Sequence, residues 1–275
     1  KIKINKDSTA SSIASQISVA FDSFAVTIHN ELTVNVFEAL KSLSEGIILD
    51  ESNGLTLNEK TLEEIREPIF ILLYRIIFIL YAEDRGIFPV EHKIYHEKFS
   101  FKWLKQEWLL KSENQKKLSE YQVHGRLWNF FRLIELGSED LGYDSNEFFM
   151  RSYYGRIFDK NINKKLDKWK IKNQYLLNAI SLLTRTHDKN GNYFFLDYSA
   201  LETRHLGSIY EHLLEYHLTV KGKKIADLPN PQERKSSGSY YTPQHIVDYA
   251  VQKTIDPLID KIRKKIPDVG IRTSI

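Results

Sequence analysis

The segment whose residue types carry the most specific chemistry is residues 238–243, which read Gly-Ser-Tyr-Tyr-Thr-Pro. Thr242 precedes a proline, so its backbone is biased towards extended geometry, which suits a helix N-cap, and Pro243 suits the first helical position. The helix that follows presents free N–H groups and a positive dipole end, which attract a carboxylate or a phosphate. Tyr240 and Tyr241 are placed to lie beside such a ligand. A plain loop-to-helix junction with packed tyrosines has the same pattern, and local physics alone favours it.

A second group of polar residues lies near position 92. His92 and His96 are four residues apart and can share a helix face, a spacing that can bind zinc, but Lys93 stands where a zincin carries glutamate. Glu91 and Lys93 resemble half of a nuclease E-x-K site, which also needs an upstream aspartate on a neighbouring strand to hold magnesium. The stretch follows a helix stop and is not a convincing strand. Surface roles are therefore favoured for both pairs.

The composition excludes several other kinds of site. The sequence has no cysteine, which rules out a disulfide scaffold, cysteine-ligated zinc and a thiol nucleophile, and which fits a reducing compartment such as the cytoplasm. It contains no glycine-rich phosphate loop, no dinucleotide fingerprint and no serine nucleophile elbow. The most apolar run, from Ile69 to Leu80, has twelve residues including Arg75, whereas a membrane-spanning helix needs about 20. We assign no catalytic residue and no metal ligand, and we expect no membrane association.

Charge is distributed unevenly along the sequence. The formal net charge is only +3, but residues 1–97 carry 9 basic and 15 acidic residues, and the remainder carries 30 and 21. A basic surface attracts polyanions such as DNA, although a solvated lysine-rich face is an equal alternative. The candidate nucleic-acid contacts lie in two basic clusters and are Lys165, Lys168, Lys223, Lys224, Arg234 and Lys235.

The elements that position these residues are predicted to be mainly helical, because apolar residues recur with helical spacing and strand patterns are scarce. Thr61 with Glu64 predicts a capping box that starts a helix running to Arg85. Residues 218–235 break the pattern with glycine, proline and many charges, which predicts a domain boundary. A last amphipathic helix is predicted to begin at Pro243.

Two sets of charged residues in the helix ending at Arg85 need an explanation. Arg75 lies inside the apolar run and is predicted to pair with a carboxylate, because an unpaired buried charge is costly. Glu83, Asp84 and Arg85 follow the run. We interpret them as a surface ion cluster in preference to an interdomain latch.

Three stretches of the sequence resemble one protein family. Residues 72–86 read LLYRIIFILYAEDRG, residues 206–214 read LGSIYEHLL, and residues 238–243 read GSYYTP, followed by QHIVDY. In this order and spacing they resemble the adenine-specific DNA methyltransferases of restriction–modification systems, especially the type IIG class that fuses restriction with methylation. In that family the last stretch is motif X, which helps to hold the methionine end of S-adenosylmethionine.

The resemblance implies a mainly α fold, with a multi-helix domain followed by the truncated start of a Rossmann-like methyltransferase domain. Residues 1–225 correspond to a helical connector or scaffold, and residues 236–275 to motif X and its helix. Tyr240, Tyr241, Thr242 and Pro243 are then the candidate cofactor-binding residues. S-adenosylmethionine is the implied cofactor, and double-stranded DNA is the implied partner of the full-length enzyme.

The sequence also departs from the family pattern. The glycine-rich motif I and the catalytic [ND]-P-P-[YF] motif are both absent. Residues 230–232, Asn-Pro-Gln, do not replace the catalytic motif, because they lack the second proline and the aromatic residue. The 275-residue chain is therefore expected to be catalytically incomplete. A fused nuclease, which would bring Mg²⁺, is left open. The alternatives are a non-enzymatic helical DNA-binding or interaction module, and a nuclease centred on Glu91 and Lys93.

Overall fold

The computed structural model describes most of the chain between residues 31 and 265, and we describe the fold only over those residues. They are residues 31–111, 117–153, 155–159, 164–187, 192–214, 216–222, 224–229, 242 and 244–265. Of the candidate site residues, Tyr240, Tyr241, Pro243, Lys223, Arg234 and Lys235 lie outside this set.

The described part of the chain is mainly helical, as the sequence predicts. Helix α1 is described over residues 31–48. The further helices are α2 (Glu59–Asp84), α3 (Lys93–Lys98), α4 (Phe101–Leu104, continued by a π-helical turn Lys105–Leu109), α5 (Gln122–Leu136), α6 (Asn173–Thr184), α7 (Thr203–Leu214), α8 (Gln244–Thr254) and α9 (Asp256–Lys265).

Helix α2 is the longest of the described elements and forms the centre of the core. Its N-cap is Asn58, whose side chain accepts a hydrogen bond from the backbone N–H of Thr61, so the predicted capping box starting at Thr61 is wrong. The helix continues through Pro68 although proline removes one backbone hydrogen bond. Burial of Leu72, Leu73 and the apolar residues around them compensates for that loss, because burying a leucine contributes about 2 kcal/mol.

Two antiparallel hairpins lie among the helices. Strands β1 (Arg185–His187) and β2 (Tyr193–Phe195) pair directly after α6. Strands β3 (Tyr216–Lys221) and β4 (Lys224–Pro229) pair over their whole length, with Lys221 opposite Lys224. The predicted break at residues 218–235 therefore begins inside a hairpin. Its charges and Gly222 belong to a two-stranded ribbon, one face of which packs against the core through Leu218, Val220 and Ile225.

Helix α2 holds a neighbouring segment at each of its ends. At its start, Glu59 accepts hydrogen bonds from the backbone N–H of Val220 (2.8 Å) and from the hydroxyl of Thr219 (2.7 Å), which fixes the second hairpin. Near its end, aromatic side chains from α3, α5 and the connecting loops pack together; the ring centroids of Tyr95 and Phe130 lie 5.5 Å apart, edge to face. Helices α1 to α7 therefore share one hydrophobic core, to which α8 and α9 contribute no side chain among the described residues.

The packing of α1 against α6 depends on a glycine. An alanine Cβ at Gly46 would lie 2.6 Å from Ile171 Cγ2 and 2.7 Å from Tyr175 Cβ. We expect Gly46→Ala to lower the free energy of unfolding by about 1–3 kcal/mol, the usual cost of overpacking, in urea denaturation.

Gly125 in α5 provides the matched control for this substitution. A Cβ at that position would meet no atom within 4 Å. Gly125→Ala is expected to stabilise the protein by about 0.5–1 kcal/mol, because alanine loses less conformational freedom in a helix than glycine. Equal effects at the two positions would contradict the close approach of α1 and α6.

None of the described helices combines the length and the apolar character that crossing a membrane requires.

Candidate cofactor junction and basic surfaces

The candidate cofactor junction is described at Thr242 and from Gln244 onwards. Thr242 is exposed and non-helical, and α8 begins two residues later at Gln244, close to the predicted start at Pro243. Tyr240, Tyr241 and Pro243 lie outside the described residues. The first N–H groups of α8 have no intrahelical acceptor and carry the positive end of the helix dipole. S-adenosylmethionine binding at this junction stays a prediction.

Helices α8 and α9 expose an apolar stripe. The turn at Ile255 joins the two helices, and each side chain of the stripe has between 37% and 54% of its surface exposed. A helix in a globular protein normally turns such a stripe towards a core. The described residues leave it open, and its members are Ile246, Val247, Val251, Ile255, Leu258 and Ile262.

The LGSIYE stretch lies on α7 and belongs to the core. Ile209 and Leu213 are fully buried, and Gly207 and Glu211 are buried as well. Leu206 packs against the same core. These residues have a packing role in the structure, and we assign no chemistry to Glu211.

Glu83 near the end of α2 is buried, so the interpretation of residues 83–85 as a surface ion cluster is wrong. The side chain of Glu83 is 5% exposed. One oxygen accepts hydrogen bonds from the hydroxyl of Tyr95 (2.8 Å) and the backbone N–H of Phe101 (2.9 Å), and the other accepts from the N–H of Lys102 (3.1 Å). Burial raises the pKa of Glu83, and these hydrogen bonds partly oppose the rise. Glu83 therefore ties α2 to α3 and to the start of α4.

The next two residues connect α2 to the segment that precedes α7. Asp84 accepts a hydrogen bond from the backbone N–H of Tyr198 at 2.9 Å. Arg85 donates to the backbone carbonyl of Leu201 at 2.8 Å. Since α7 begins at Thr203, these contacts tie the first family-like stretch to the segment that leads into the helix carrying the second.

Arg75 is held by a carbonyl and by aromatic rings. It donates to the backbone carbonyl of Ile157, and its guanidinium carbon lies 4.9 Å from the ring centroid of Phe131 and 5.6 Å from that of Phe158. Desolvation lowers the pKa of Arg75 to about 10, although the charges of Asp167 and Glu135 oppose the shift. The prediction that Arg75 pairs with a carboxylate is therefore wrong for the described residues, because a backbone carbonyl and two aromatic rings contact its side chain, and Asp167 and Glu135 act on it only through their charge.

The candidate DNA contacts fall into two groups. Lys165 and Lys168 are exposed at a short 3-10 turn, Leu166–Lys168, where a phosphate can reach them. Of the second cluster, the structure describes only the backbone of Lys224, at the start of β4, while Lys223, Arg234 and Lys235 lie outside the described residues. The structure therefore places the first cluster on the surface, and DNA binding by either cluster stays a prediction.

The surroundings of His92 and Glu91 give no support to a metal site. The ring of His92 packs against Phe148 with a centroid distance of 5.0 Å, and Glu91 forms an exposed ion pair with Lys102 at 3.4 Å. Lys93 begins a helix, whereas an E-x-K nuclease site needs a strand. Among the described residues, no three His, Asp or Glu side chains converge in an arrangement that could hold a metal ion.

Comparison of the chain with protein-family models, with curated proteins and with solved structures gives no match.

Proposed function

We propose that this chain is the helical region and the first cofactor-binding element of an adenine-specific DNA methyltransferase of the type IIG restriction–modification class. The complete enzyme is cytoplasmic and acts on double-stranded DNA. Residues 1–275 contribute to the enzyme without supplying its catalytic motif.

The observation that carries the proposal is the exposure of the junction and of the helices behind it. Thr242 is open to solvent, and the apolar stripe of α8 and α9 is uncovered by the described residues. That is the expected state of an element that packs into a larger Rossmann-like domain, because a helix in a globular protein normally turns such a stripe towards a core.

The chemistry of such an enzyme is mainly positioning. S-adenosylmethionine, when bound, supplies an electrophilic methyl group on its sulfonium. Tyr240, Tyr241, Thr242 and Pro243 form part of the wall against its methionine end, and the N-terminus of α8 attracts the carboxylate there. Lys165 and Lys168 contact DNA phosphates without reading sequence. The target adenine leaves the duplex before reaction and is recognised by residues outside this chain.

The reading frame that encodes this chain provides a first test. Beyond residue 275 we expect a glycine-rich cofactor loop and an Asn/Asp-Pro-Pro-aromatic motif within one domain length. In calorimetry, the 275-residue chain by itself is expected to bind S-adenosylmethionine negligibly, because most of the site is missing. A frame that lacks both motifs, or micromolar binding by the chain alone, contradicts the proposal.

A further inference from the structure

An open groove of about 640 Å³ runs along one face of α5, and none of its lining residues belongs to the candidate cofactor junction. The α5 residues that line it recur at helical spacing and are Gln122, Gly125, Arg126, Asn129 and Arg132. The space beside Gly125 is empty to a distance of 4 Å. The other wall comes from the end of α3, from Trp108 and from the loop around Tyr143.

Arg126 is the unusual residue of this groove. Its guanidinium carbon lies 4.4 Å from the ring centroid of Trp103 and 5.7 Å from that of Trp108. Both Nε and Nη2 are buried, and neither finds a hydrogen-bond partner within the described part of the chain. Ring faces compensate part of the charge but leave the N–H donors unsatisfied, which is costly inside a protein. Desolvation accordingly lowers the pKa of Arg126 to about 10, with the charge of Glu83 opposing the shift.

The unsatisfied donors have the geometry of an anion-binding fork. Nε and Nη2 lie on one edge of the guanidinium, and that edge can hold two oxygens of a phosphate or a carboxylate at once. Two further cationic side chains, Lys98 and Arg132, line the groove. Two carboxylates, Glu97 and Asp140, line it as well. Phosphate suits three surrounding cations better than a carboxylate does, because its oxygens point in several directions and it can carry more than one charge.

We propose that this groove binds a phosphate group. Because Nε and Nη2 of Arg126 are buried, the side chain turns on binding so that this edge faces the groove and donates to two phosphate oxygens. Lys98 and Arg132 neutralise the remaining charge. The phosphate belongs either to a small phosphorylated molecule or to a DNA backbone, since both present the same oxygens. This site does not depend on the proposed methyltransferase function.

Tryptophan fluorescence of the 275-residue chain reports directly on the groove, because Trp103 and Trp108 pack on Arg126. We expect a saturable change on titration with inorganic phosphate, deoxyadenosine monophosphate or a short DNA duplex. Arg126→Met keeps the apolar stem on the tryptophans but removes the fork, and should weaken binding about tenfold or more. The control variant is Lys60→Met, which also removes one positive charge. Lys60 is exposed on α2 and lies outside the groove, so this variant should leave the affinity unchanged.

Two further variants keep the proposal falsifiable if Arg126→Met does not fold. Arg126→Lys retains the charge without the two-point fork and should weaken binding about threefold or more, whereas Asp140→Asn removes a repulsive carboxylate and should strengthen it. Binding of the duplex with displacement by free phosphate identifies the DNA backbone as the source, and binding of the mononucleotide without the duplex identifies a small molecule. The proposal is overturned if none of the three probes changes the fluorescence, or if both Arg126 variants bind like the wild type.

Discussion

Glu83→Ala is expected to lower the free energy of unfolding by about 3 kcal/mol or more, because each buried donor left without an acceptor costs about 1–3 kcal/mol. Three donors lose their acceptor in this variant: the hydroxyl of Tyr95 and the backbone N–H groups of Phe101 and Lys102. Within the part of the chain that the structure describes, the N–H of Lys102 alone among these three donors has a second acceptor, the hydroxyl of Ser100. Urea denaturation followed by circular dichroism measures the effect.

Glu64→Ala is the matched control for that experiment. Glu64 lies on the same helix but is exposed, so its removal should change the free energy of unfolding by no more than about 0.5 kcal/mol. Comparable losses in the two variants would show that Glu83 does not hold α3 and α4 against α2.

The same carboxyl makes stability depend on pH. Burial raises the pKa of Glu83 in the folded state, so folding favours its protonated form. The stability that this linkage contributes is fully present below the pKa of Glu83 in the unfolded chain. It is lost as the pH rises through the pKa of Glu83 in the folded protein. From about pH 4 upwards, the wild type should therefore lose stability relative to Glu83→Gln, whose amide does not ionise. A difference between the two proteins that stays constant with pH, or that moves towards the wild type, contradicts the raised pKa.

Tyr241→Ala in the complete enzyme is the substitution with the largest expected effect on activity. If Tyr241 forms a wall of the cofactor site, its loss should raise KM for S-adenosylmethionine about tenfold or more and change kcat less, because the contact is made in the ground state as well as in the transition state. Transfer of a labelled methyl group to DNA measures both constants.

Tyr193→Ala controls for the loss of a tyrosine side chain as such. Tyr193 lies on β2 with 62% of its surface exposed, outside the family-like stretches. We expect wild-type kinetics for this variant. The proposed role of Tyr241 in cofactor binding is contradicted if KM rises equally in both variants or rises in neither.

The long helix α2 could be predicted from sequence, but the burial of its last turn could not. The apolar run around Leu72 to Leu80 specifies a buried helix by its periodicity and length. Glu83 follows that run in a charged stretch that is typical of a solvated helix end. Its burial depends on Tyr95 and Phe101, which lie 12 and 18 residues further along the chain. The sequence around Glu83 does not predict those contacts.

The second hairpin and the Arg126 groove were missed for related reasons. Glycine, proline and charges in residues 218–235 indicate a break in structure. They are equally typical of a hairpin turn, and only the pairing of β3 with β4 distinguishes the two. Arg126 has the ordinary surroundings of a surface arginine in sequence. Its unsatisfied donors become apparent only when Trp103 and Trp108, from another helix, pack over it.

The measurement that tests the proposed methyltransferase function most directly is made on DNA. Duplex DNA is incubated with S-adenosylmethionine and the protein encoded by the complete reading frame, then digested to nucleosides and analysed by mass spectrometry. We predict N6-methyladenine that is absent when the cofactor is omitted. Unmodified adenine, or methylation confined to cytosine, would contradict the proposal.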